Sequence, residues 1–350
     1  MSSSHPKPAG IAATGSSDLL MVTGLRKYFP VLGGIMNRTV AQVQAVDDVS
    51  FSIRSGEVLG IVGESGCGKS TTARLLMHLI KSDAGEIAFD GQTVGDGDGL
   101  ELREMRRQMQ MVFQNSYSSL NPRLPIEETI AFGPKVHGTP TDKARARARD
   151  ILGKVGLDPG QFIRRYPHEL SGGQRQRVNI ARALALEPRL LILDEAVSAL
   201  DKSVEAQVLN LLLDLKQELA LTYIFISHDL NVVQYVSDRV LVMYLGKIVE
   251  IGTVDDIYER TRHPYTQALL SAMPSMDPDK RIETPPLTGD PPNPINPPPG
   301  CRFHTRCPFA EAVCAAREPE LEFSLATDGD EHRVACHMNT ADSGHTRVPA

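Results

Sequence analysis

A glycine-rich stretch with a lysine and two hydroxyl residues directly follows an apolar run early in the chain. Residues 58–62 predict a short buried strand, and residues 69–80 predict a helix with three leucines on one side. A glycine-rich turn between them can direct several backbone N–H groups at one point, which also lies at the positive end of the helix dipole. Four residues separate Gly63 from the run Gly68-Lys69-Ser70, which is the P-loop spacing.

This stretch is interpreted as a cradle for a nucleoside triphosphate. Lys69 would reach the β- and γ-phosphates, and the Ser70 hydroxyl would hold Mg²⁺. The alternative is a glycine-rich turn that binds nothing, which is less consistent with the flanking strand and helix. The candidate phosphate-binding residues cover the turn and the start of the helix: Gly63, Ser65, Gly66, Cys67, Gly68, Lys69, Ser70 and Thr71.

Two further stretches could complete a nucleotide site. An apolar strand over 190–195 ends in Asp194 and Glu195, and open α/β sheets bind ligands at the carboxyl ends of their strands. Asp194 would support Mg²⁺ and Glu195 would orient the attacking water; alternatively, the two acids simply end a strand at solvent. Ser171 and two glycines before a helix offer a second phosphate cradle, which one nucleotide needs only if two copies of the site face each other.

Composition is typical of a globular protein of the cytosol. The chain has 350 residues, 41% of them hydrophobic, and a net charge of −6, which gives no general reason to expect nucleic acid as a partner. The basic run over 142–150 predicts a solvated helix, because basic residues two apart cannot form one stripe. No apolar run approaches the ~18 residues of a membrane span. Residues 1–19 lack a signal-peptide core and are expected to be a disordered tail.

Strand and helix signals alternate along the chain, which predicts an α/β fold with a largely parallel sheet. A helical subdomain is expected at about 120–186, and a proline-rich connector over 285–300 leads to a cysteine-bearing end. Strands are expected through most of 20–90 and then at 109–114, 190–195, 222–227 and 239–252, with an amphipathic helix over 203–220.

The motifs together resemble the ATP-binding subunits of ABC transporters, from about residue 20 to residue 260. The matching segments are Gly63–Ser70 (Walker A), Gln114 (Q-loop), Ser171–Gln174 (LSGGQ signature), Leu190–Glu195 (Walker B), Ser198–Asp201 (D-loop) and His228 (switch histidine). The resemblance implies a P-loop NTPase core with an antiparallel β subdomain, a helical subdomain and a small cysteine-bearing C-terminal extension. It also implies ATP and Mg²⁺ as ligands, and a head-to-tail dimer that closes on two ATP molecules.

The resemblance implies a role for each matching residue. Those expected near the metal are Ser70, Gln114 and Asp194, and those expected to act in hydrolysis are Gln114, Glu195 and His228. The signature would act on the nucleotide of the partner chain through Ser171, Gly172, Gly173 and Gln174. Phe29, with Tyr28 as the alternative, lies where the family stacks an aromatic ring on adenine.

Four stretches resemble the dipeptide, oligopeptide and nickel importer branch, and within it the F-type ATPase subunit of peptide importers: SLNPR (119–123), YPHELSGGQ (166–174), HPYTQALLSAMP (263–274) and PGCRFHTRCP (299–308). This implies an ATP-binding domain over 20–262 and a C-terminal extension over 263–350, at the cytoplasmic face of the cell membrane. The implied partners are a paralogous ATP-binding subunit, two transmembrane permeases and an extracytoplasmic substrate-binding protein. Residues 115–123 would dock onto the permease; the alternative is a polar surface loop.

The expected function is ATP-driven uptake of di- or oligopeptides. Nickel or another small solute stays open as the cargo, because other proteins select it. A soluble ABC ATPase acting on DNA or the ribosome usually has coiled-coil insertions or tandem cassettes, and an exporter motor usually has Glu-Gly before the signature; this chain has neither feature. It departs from the family at Ala196, where proline is usual, and at Lys202, where an apolar residue is usual.

Four of the five cysteines lie near the C-terminus, with five, six and twenty-one residues between them: Cys301, Cys307, Cys314 and Cys336. In a reducing compartment such a cluster favours metal ligation over disulfides, and thiolates select soft metals. Related importer subunits carry a [4Fe–4S] cluster in this region, so the resemblance implies one here. Zn²⁺ is the alternative, although the tight cysteine pairs of structural zinc sites are absent, and unligated thiols are the third possibility.

Overall fold

The structure is a computed structural model that describes residues 18–33, 38–95, 99–114, 119–273, 289–324 and 331–348. Several expectations fall partly outside these ranges, among them the tail over 1–19, residues 115–118 of the expected permease-docking segment, the first part of the proline-rich connector and parts of the C-terminal extension over 263–350. Within the described ranges, no helix is both long enough and apolar enough to cross a membrane.

Helices and strands alternate through the chain. The strands are β1 (Asp18–Gly33), β2 (Arg38–Arg54), β3 (Val58–Val62), β4 (Ala84–Phe89), β5 (Gln92–Thr93), β6 (Met109–Val112), β7 (Leu190–Asp194), β8 (Thr222–Ile226), β9 (Arg239–Tyr244), β10 (Lys247–Thr253), β11 (Glu322–Phe323) and β12 (Arg333–Val334). The helices are α1 (Lys69–Leu76), α2 (Leu102–Gln108), α3 (Ile126–Val136), α4 (Thr141–Lys154), α5 (Pro159–Phe162), α6 (Gly172–Leu184), α7 (Lys202–Leu219), α8 (Leu230–Val236), α9 (Val254–Tyr258), α10 (Pro264–Ser271) and α11 (Ala312–Ala316).

An eight-stranded sheet forms the centre of the fold, in the order β11-β12-β10-β9-β3-β8-β7-β6. The pairs from β9 through β3, β8 and β7 to β6 are parallel, and the pairs on the β10 side are antiparallel. Every residue of β3, β7 and β8 is buried, as expected for parallel strands covered on both faces. The expectation of an α/β fold with a largely parallel sheet is confirmed.

Two apolar clusters cover the two faces of this sheet. Along β3, Val58 and Val62 belong to one cluster and Leu59 and Ile61 to the other, because successive side chains of a strand point to opposite faces. The first cluster includes most of the buried apolar residues of α3, α4 and α6. The second includes α1 and the four-stranded antiparallel sheet, which has the order β2-β1-β4-β5. The helical and antiparallel parts thus lie against opposite faces of one sheet.

The segment 239–252, expected as one strand, is a hairpin of β9 and β10. Tyr244 pairs with Lys247, and the two residues between them, Leu245 and Gly246, have φ of 43° and 81°. Positive φ at both central residues is the type I′ geometry, which matches the twist of the paired strands. The hairpin extends the central sheet, and β12 then pairs with β10, so the cysteine-bearing end of the chain is joined to the core by backbone hydrogen bonds.

Candidate functional site

Four neighbouring parallel strands deliver the candidate residues to one edge of the sheet. The chain leaves β3 at Gly63, β8 at Ser227 just before His228, β7 at Glu195, and β6 shortly before Gln114. These strands run in the spatial order β3-β8-β7-β6, all pointing the same way. Residues distant in sequence therefore meet beyond the carboxyl ends of the strands, where open α/β sheets bind ligands.

The turn between β3 and α1 requires its glycines. Gly63, Gly66 and Gly68 have φ of 145°, 80° and 112°, values that residues with a Cβ rarely adopt. A Cβ on Gly63 would lie 2.2 Å from the carbonyl oxygen of Met243, and one on Gly68 would lie 2.4 Å from that of Ala45. The turn therefore packs backbone against backbone, which holds it in one shape at the N-terminus of α1.

Lys69, the first residue of α1, is 5% exposed. Its Nζ donates to the carbonyl oxygens of Gly63 at 2.6 Å and Glu64 at 3.0 Å, so the ammonium lies inside the curve of the glycine-rich turn. A cation and the N-terminal end of a helix converge there, which is the arrangement that binds a polyphosphate.

Ser70 and Asp194, 124 residues apart, are joined by a hydrogen bond of 2.9 Å from the Ser70 hydroxyl to the Asp194 carboxylate. Asp194 is 4% exposed, and burial raises its pKa, with the charge of Glu195 adding to the effect and the Ser70 hydrogen bond opposing it. A hydroxyl and a carboxylate are oxygen ligands of the kind Mg²⁺ prefers, and a divalent cation would remove the electrostatic cost of this buried charge. The pair therefore fits a magnesium site.

Glu195 is the common partner of Gln114 and His228. Gln114 Nε2 donates to Glu195 Oε2 at 2.5 Å, and His228 Nδ1 lies 3.7 Å from the same oxygen. Glu195 has a φ of 48° and donates its N–H to the carbonyl of Ile226 at 2.9 Å, so a backbone turn held by β8 aims this carboxylate. The structure thus brings together all three residues expected to act in hydrolysis.

The signature segment begins α6 with a capping box. The Ser171 hydroxyl accepts the N–H of Gln174 at 3.3 Å, and the Gln174 side-chain oxygen accepts the N–H of Ser171 at 3.0 Å. A Cβ on Gly173 would lie 2.4 Å from Val204 of α7. Ser171 itself is exposed, so its hydroxyl and the start of α6 are accessible to a second molecule.

The two candidate aromatic residues differ in what they contact. Phe29 is 37% exposed, and the Lys27 ammonium lies 5.6 Å from the centre of its ring. Tyr28 donates its hydroxyl to Asp47 at 2.5 Å; burial, with the hydrogen bond and charge of Asp47, raises the pKa of Tyr28 to about 12. Phe29 is therefore the more exposed of the two rings.

The two residues that depart from the family pattern, Lys202 and Ala196, differ in what the structure shows for them. Lys202, at the start of α7, pairs with Glu205 at 3.0 Å and with Asp229 at 2.9 Å. The second pair ties the segment after Walker B to the residue that follows His228. Ala196 is 3% exposed, and the structure offers no explanation for alanine in place of proline there.

The four C-terminal cysteines line one cavity together with several histidines, including His304, His337 and His345. Burial, with the charges of neighbouring cysteines, raises the pKa of Cys301 to about 11 and of Cys336 to about 12. All five cysteines of the chain are free thiols. Within the described ranges, no group of three or more His, Cys, Asp or Glu side chains is arranged to hold a metal ion. The geometry of these side chains therefore supports neither the expected [4Fe–4S] cluster nor the alternative Zn²⁺.

Sequence reasoning missed two residues that contact the glycine-rich turn. The Tyr265 hydroxyl accepts the N–H of Glu64 at 2.8 Å, and Arg306 donates to both carboxylate oxygens of Glu64 at 2.8 and 3.1 Å. Both residues lie in stretches that had indicated a family branch only, HPYTQALLSAMP and PGCRFHTRCP. No local signal links them to the turn, because the contacts span 201 and 242 residues.

Known proteins resemble this chain in both sequence and fold. The ABC transporter family profile matches residues 46–198, and a profile for the C-terminal region of oligopeptide/dipeptide transporters matches residues 249–314. The oligopeptide transport ATP-binding protein AppF of Bacillus subtilis is 47% identical over 336 residues, covering 94% of this chain and 99% of AppF. The chain belongs to the ATP-binding proteins of ABC transporters. It is an ABC ATPase.

Further relatives place this ABC ATPase in the same branch. The oligopeptide transport ATP-binding protein OppF of Salmonella typhimurium is 50% identical over 329 residues, covering 91% of this chain and 95% of OppF. Among solved structures, cbiO1 of Clostridium perfringens, part of an ABC transporter complex, superposes with a TM-score of 0.59 at 28% identity over 70% of this chain and 92% of its own. A dimeric ATP-binding cassette with bound ADP and Pi gives 0.58 at 28% identity, covering 67% and 98%. The expected family and P-loop NTPase fold are confirmed.

Proposed function

We propose that this ABC ATPase binds and hydrolyses ATP to drive the uptake of di- or oligopeptides across the cytoplasmic membrane. The observation that carries the proposal is the similarity of nearly the whole chain, including its C-terminal part, to oligopeptide transport ATP-binding proteins. Similarity confined to the core would support only ATP hydrolysis, because cassettes of many transporters share that core.

In the proposed mechanism, the turn and α1 bind the triphosphate. Lys69 exchanges its two carbonyl partners for the β- and γ-phosphate oxygens, while backbone N–H groups from Ser65 to Thr71 surround the phosphates. Ser70 and Asp194 would hold Mg²⁺ together with Gln114, and the cation would neutralise charge on the phosphates. The support is the placement of the ammonium, the hydroxyl and the buried carboxylate at one end of α1.

Glu195 orients the attacking water and polarises it toward the γ-phosphate. Gln114 and His228 adjoin the same carboxylate oxygen, so both can respond to the γ-phosphate and adjust the position of Glu195. Because hydrolysis removes the phosphate that these three residues surround, their arrangement changes between the ATP and ADP states.

We propose that each ATP lies between two chains. The exposed start of α6 would offer Ser171, Gly172, Gly173 and Gln174 to the nucleotide of a paralogous ATP-binding subunit. Phe29 would stack on the adenine. The γ-phosphate then bridges the two subunits, and its removal lets them separate, which converts hydrolysis into motion.

The motion would be passed to two transmembrane permeases, fed by an extracytoplasmic substrate-binding protein. We propose that the chain lies peripherally at the cytoplasmic face of the membrane and that residues 115–123 dock onto the permease. We also propose the functional division into an ATP-binding domain over 20–262, with its helical subdomain at about 120–186, and a C-terminal extension over 263–350.

We also propose that the four cysteines of the extension hold a [4Fe–4S] cluster. Its support is that all four thiols line one cavity and that soft thiolate ligands suit iron–sulfur clusters. A cluster would supply a covalent cross-link between distant parts of the extension. Anaerobic purification should give coloured protein containing iron and sulfide; colourless protein with zinc, or with neither metal, would contradict the proposal.

Uptake by a reconstituted complex tests the main proposal. The chain is affinity-purified from membranes, the accompanying permeases and binding protein are identified, and the complex is placed in vesicles. We expect ATP-dependent accumulation of a labelled oligopeptide with the native chain and none with Glu195→Gln, the matched variant that retains ATP. Accumulation of nickel but not peptide, or recovery with ribosomes instead of permeases, would refute it.

A further inference from the structure

The C-terminal extension reaches into the phosphate-binding turn through Glu64. The backbone N–H of this residue donates to the Tyr265 hydroxyl, its carboxylate accepts two hydrogen bonds from Arg306, and its carbonyl oxygen accepts the Lys69 ammonium. Two of these three partners come from the extension. The position of Glu64 in the turn is therefore set jointly by the ATP-binding core and the extension.

Arg306 is held firmly enough to fix the position of the Glu64 carboxylate. Its side chain is 5% exposed against 24% for Glu64, and the bond between them is bidentate, which fixes direction as well as distance. The guanidinium also lies 6.0 Å from the centre of the Tyr244 ring. Tyr244, Tyr265 and Phe303 pack ring against ring, with centroids 4.6 to 5.4 Å apart, so Arg306 lies against an aromatic cluster.

Arg306 belongs to the cysteine-bearing loop, residues 301–307. Arg306 directly precedes Cys307, and Phe303 follows shortly after Cys301; both cysteines line the shared cavity. The backbone N–H groups of Cys307 and His304 bond to carbonyls within the same short loop. A change in how this loop is held would therefore move the Arg306 guanidinium relative to the turn.

The negative charge of Glu64 explains why its contact with Arg306 affects ATP binding. A carboxylate in the turn that must receive a polyanion repels it, and repulsion between charges in a partly buried site is weakly screened. Arg306 neutralises that carboxylate. Tyr265 engages the Glu64 N–H, and the Glu64 carbonyl accepts the Cys67 N–H at 3.2 Å, so both backbone groups of Glu64 have partners.

We propose that Arg306 is a positioning residue for ATP, through which the cysteine-bearing extension sets the affinity of the Walker A turn for nucleotide. The inference rests on the proposed ATP site and adds the part of the chain that tunes it. Arg306 acts through Glu64 and touches no reacting atom. ATP affinity consequently depends on the integrity of the loop from Cys301 to Cys307.

ATP binding by the full chain tests this. We expect Arg306→Gln to raise the Kd for ATP, measured by titration with a fluorescent ATP analogue, about tenfold, and to change kcat at saturating ATP less than twofold. Arg306→Lys, which keeps the charge but not the fork, should recover part of the affinity. Arg317→Gln is the matched control, because Arg317 donates to Ser343 within the extension and is exposed.

A second pair of variants separates charge from folding. In the Arg306→Gln background, Glu64→Gln removes the uncompensated carboxylate and should restore affinity at least threefold. If Arg306→Gln fails to fold, Tyr265→Phe, which removes only the acceptor of the Glu64 N–H, should still raise the Kd. An unchanged Kd in Arg306→Gln, or an equal rise in Arg317→Gln, would overturn the inference while leaving the ATPase intact. A native chain that binds no ATP would instead overturn the proposed function.

Discussion

The buried histidine at the junction of core and extension makes stability depend on pH. His263 is 1% exposed, and its Nδ1 accepts the N–H of Tyr265 at 3.1 Å, which caps α10. The backbone N–H of His263 donates to one oxygen of the Glu250 carboxylate, and the His332 ring nitrogen Nε2 bonds the other oxygen. Burial lowers the pKa of His263 to about 4, with the charge of Glu250 partly opposing the shift.

The direction and size of the effect follow from this shift. In the unfolded chain a histidine has a pKa of about 6.5, so on acidification it takes up a proton that the folded chain refuses, and folding is weakened. The stability is fully present above the unfolded pKa and is lost as the pH falls toward the folded value. Between pH 7 and pH 5 the loss from this one group is about 2 kcal/mol. For a chain of this length that is about 3 °C in Tm.

Thermal unfolding of the native chain and His263→Asn at pH 7, 6 and 5 measures this. Asparagine can still accept the Tyr265 N–H and does not titrate, so it preserves the cap and removes the proton site. We expect the native Tm to fall about 3 °C more than that of the variant across this range, since other titrating groups are common to both. Equal slopes of Tm against pH would refute the reasoning.

Three further predictions concern the nucleotide site. Glu195→Gln should lower kcat for ATP at least 100-fold while the Kd for ATP changes less than threefold, because a carboxamide cannot polarise water; normal turnover would remove Glu195 from its role. Gly63→Ala should abolish ATP binding in titrations, because its Cβ would meet the Met243 carbonyl at 2.2 Å; unaltered binding would show that the turn can shift. Ser171→Ala should lower the free energy of unfolding in urea by about 1 kcal/mol, because the helix cap is lost. In the Glu195→Gln background, the same change should also weaken ATP-dependent dimer formation measured by light scattering. Dimer formation equal to that of Glu195→Gln alone would contradict the role of the signature.

Local pattern was sufficient for much of the core. The buried strands were recognisable because parallel strands are continuous apolar runs, and residues 190–195 and 222–227 agree with β7 and β8 to within one residue. The helix expected over 69–80 ends at Leu76. His78, just beyond, has a φ of 47°, so the backbone leaves the helix there although the leucine spacing continues. The hairpin at Leu245 was hidden because both of its strands are apolar.

The sequence by itself determined the phosphate-binding turn, the acidic pair and the signature, because each depends on spacing within one strand, turn and helix. Tertiary structure alone decided which of these meet. Ser70 reaches Asp194 across 124 residues because β3 and β7 both flank β8 in one sheet, and Arg306 reaches Glu64 across 242 because the aromatic cluster beneath it packs on β9. Contacts of this kind depend on strand order and burial, which no local spacing encodes.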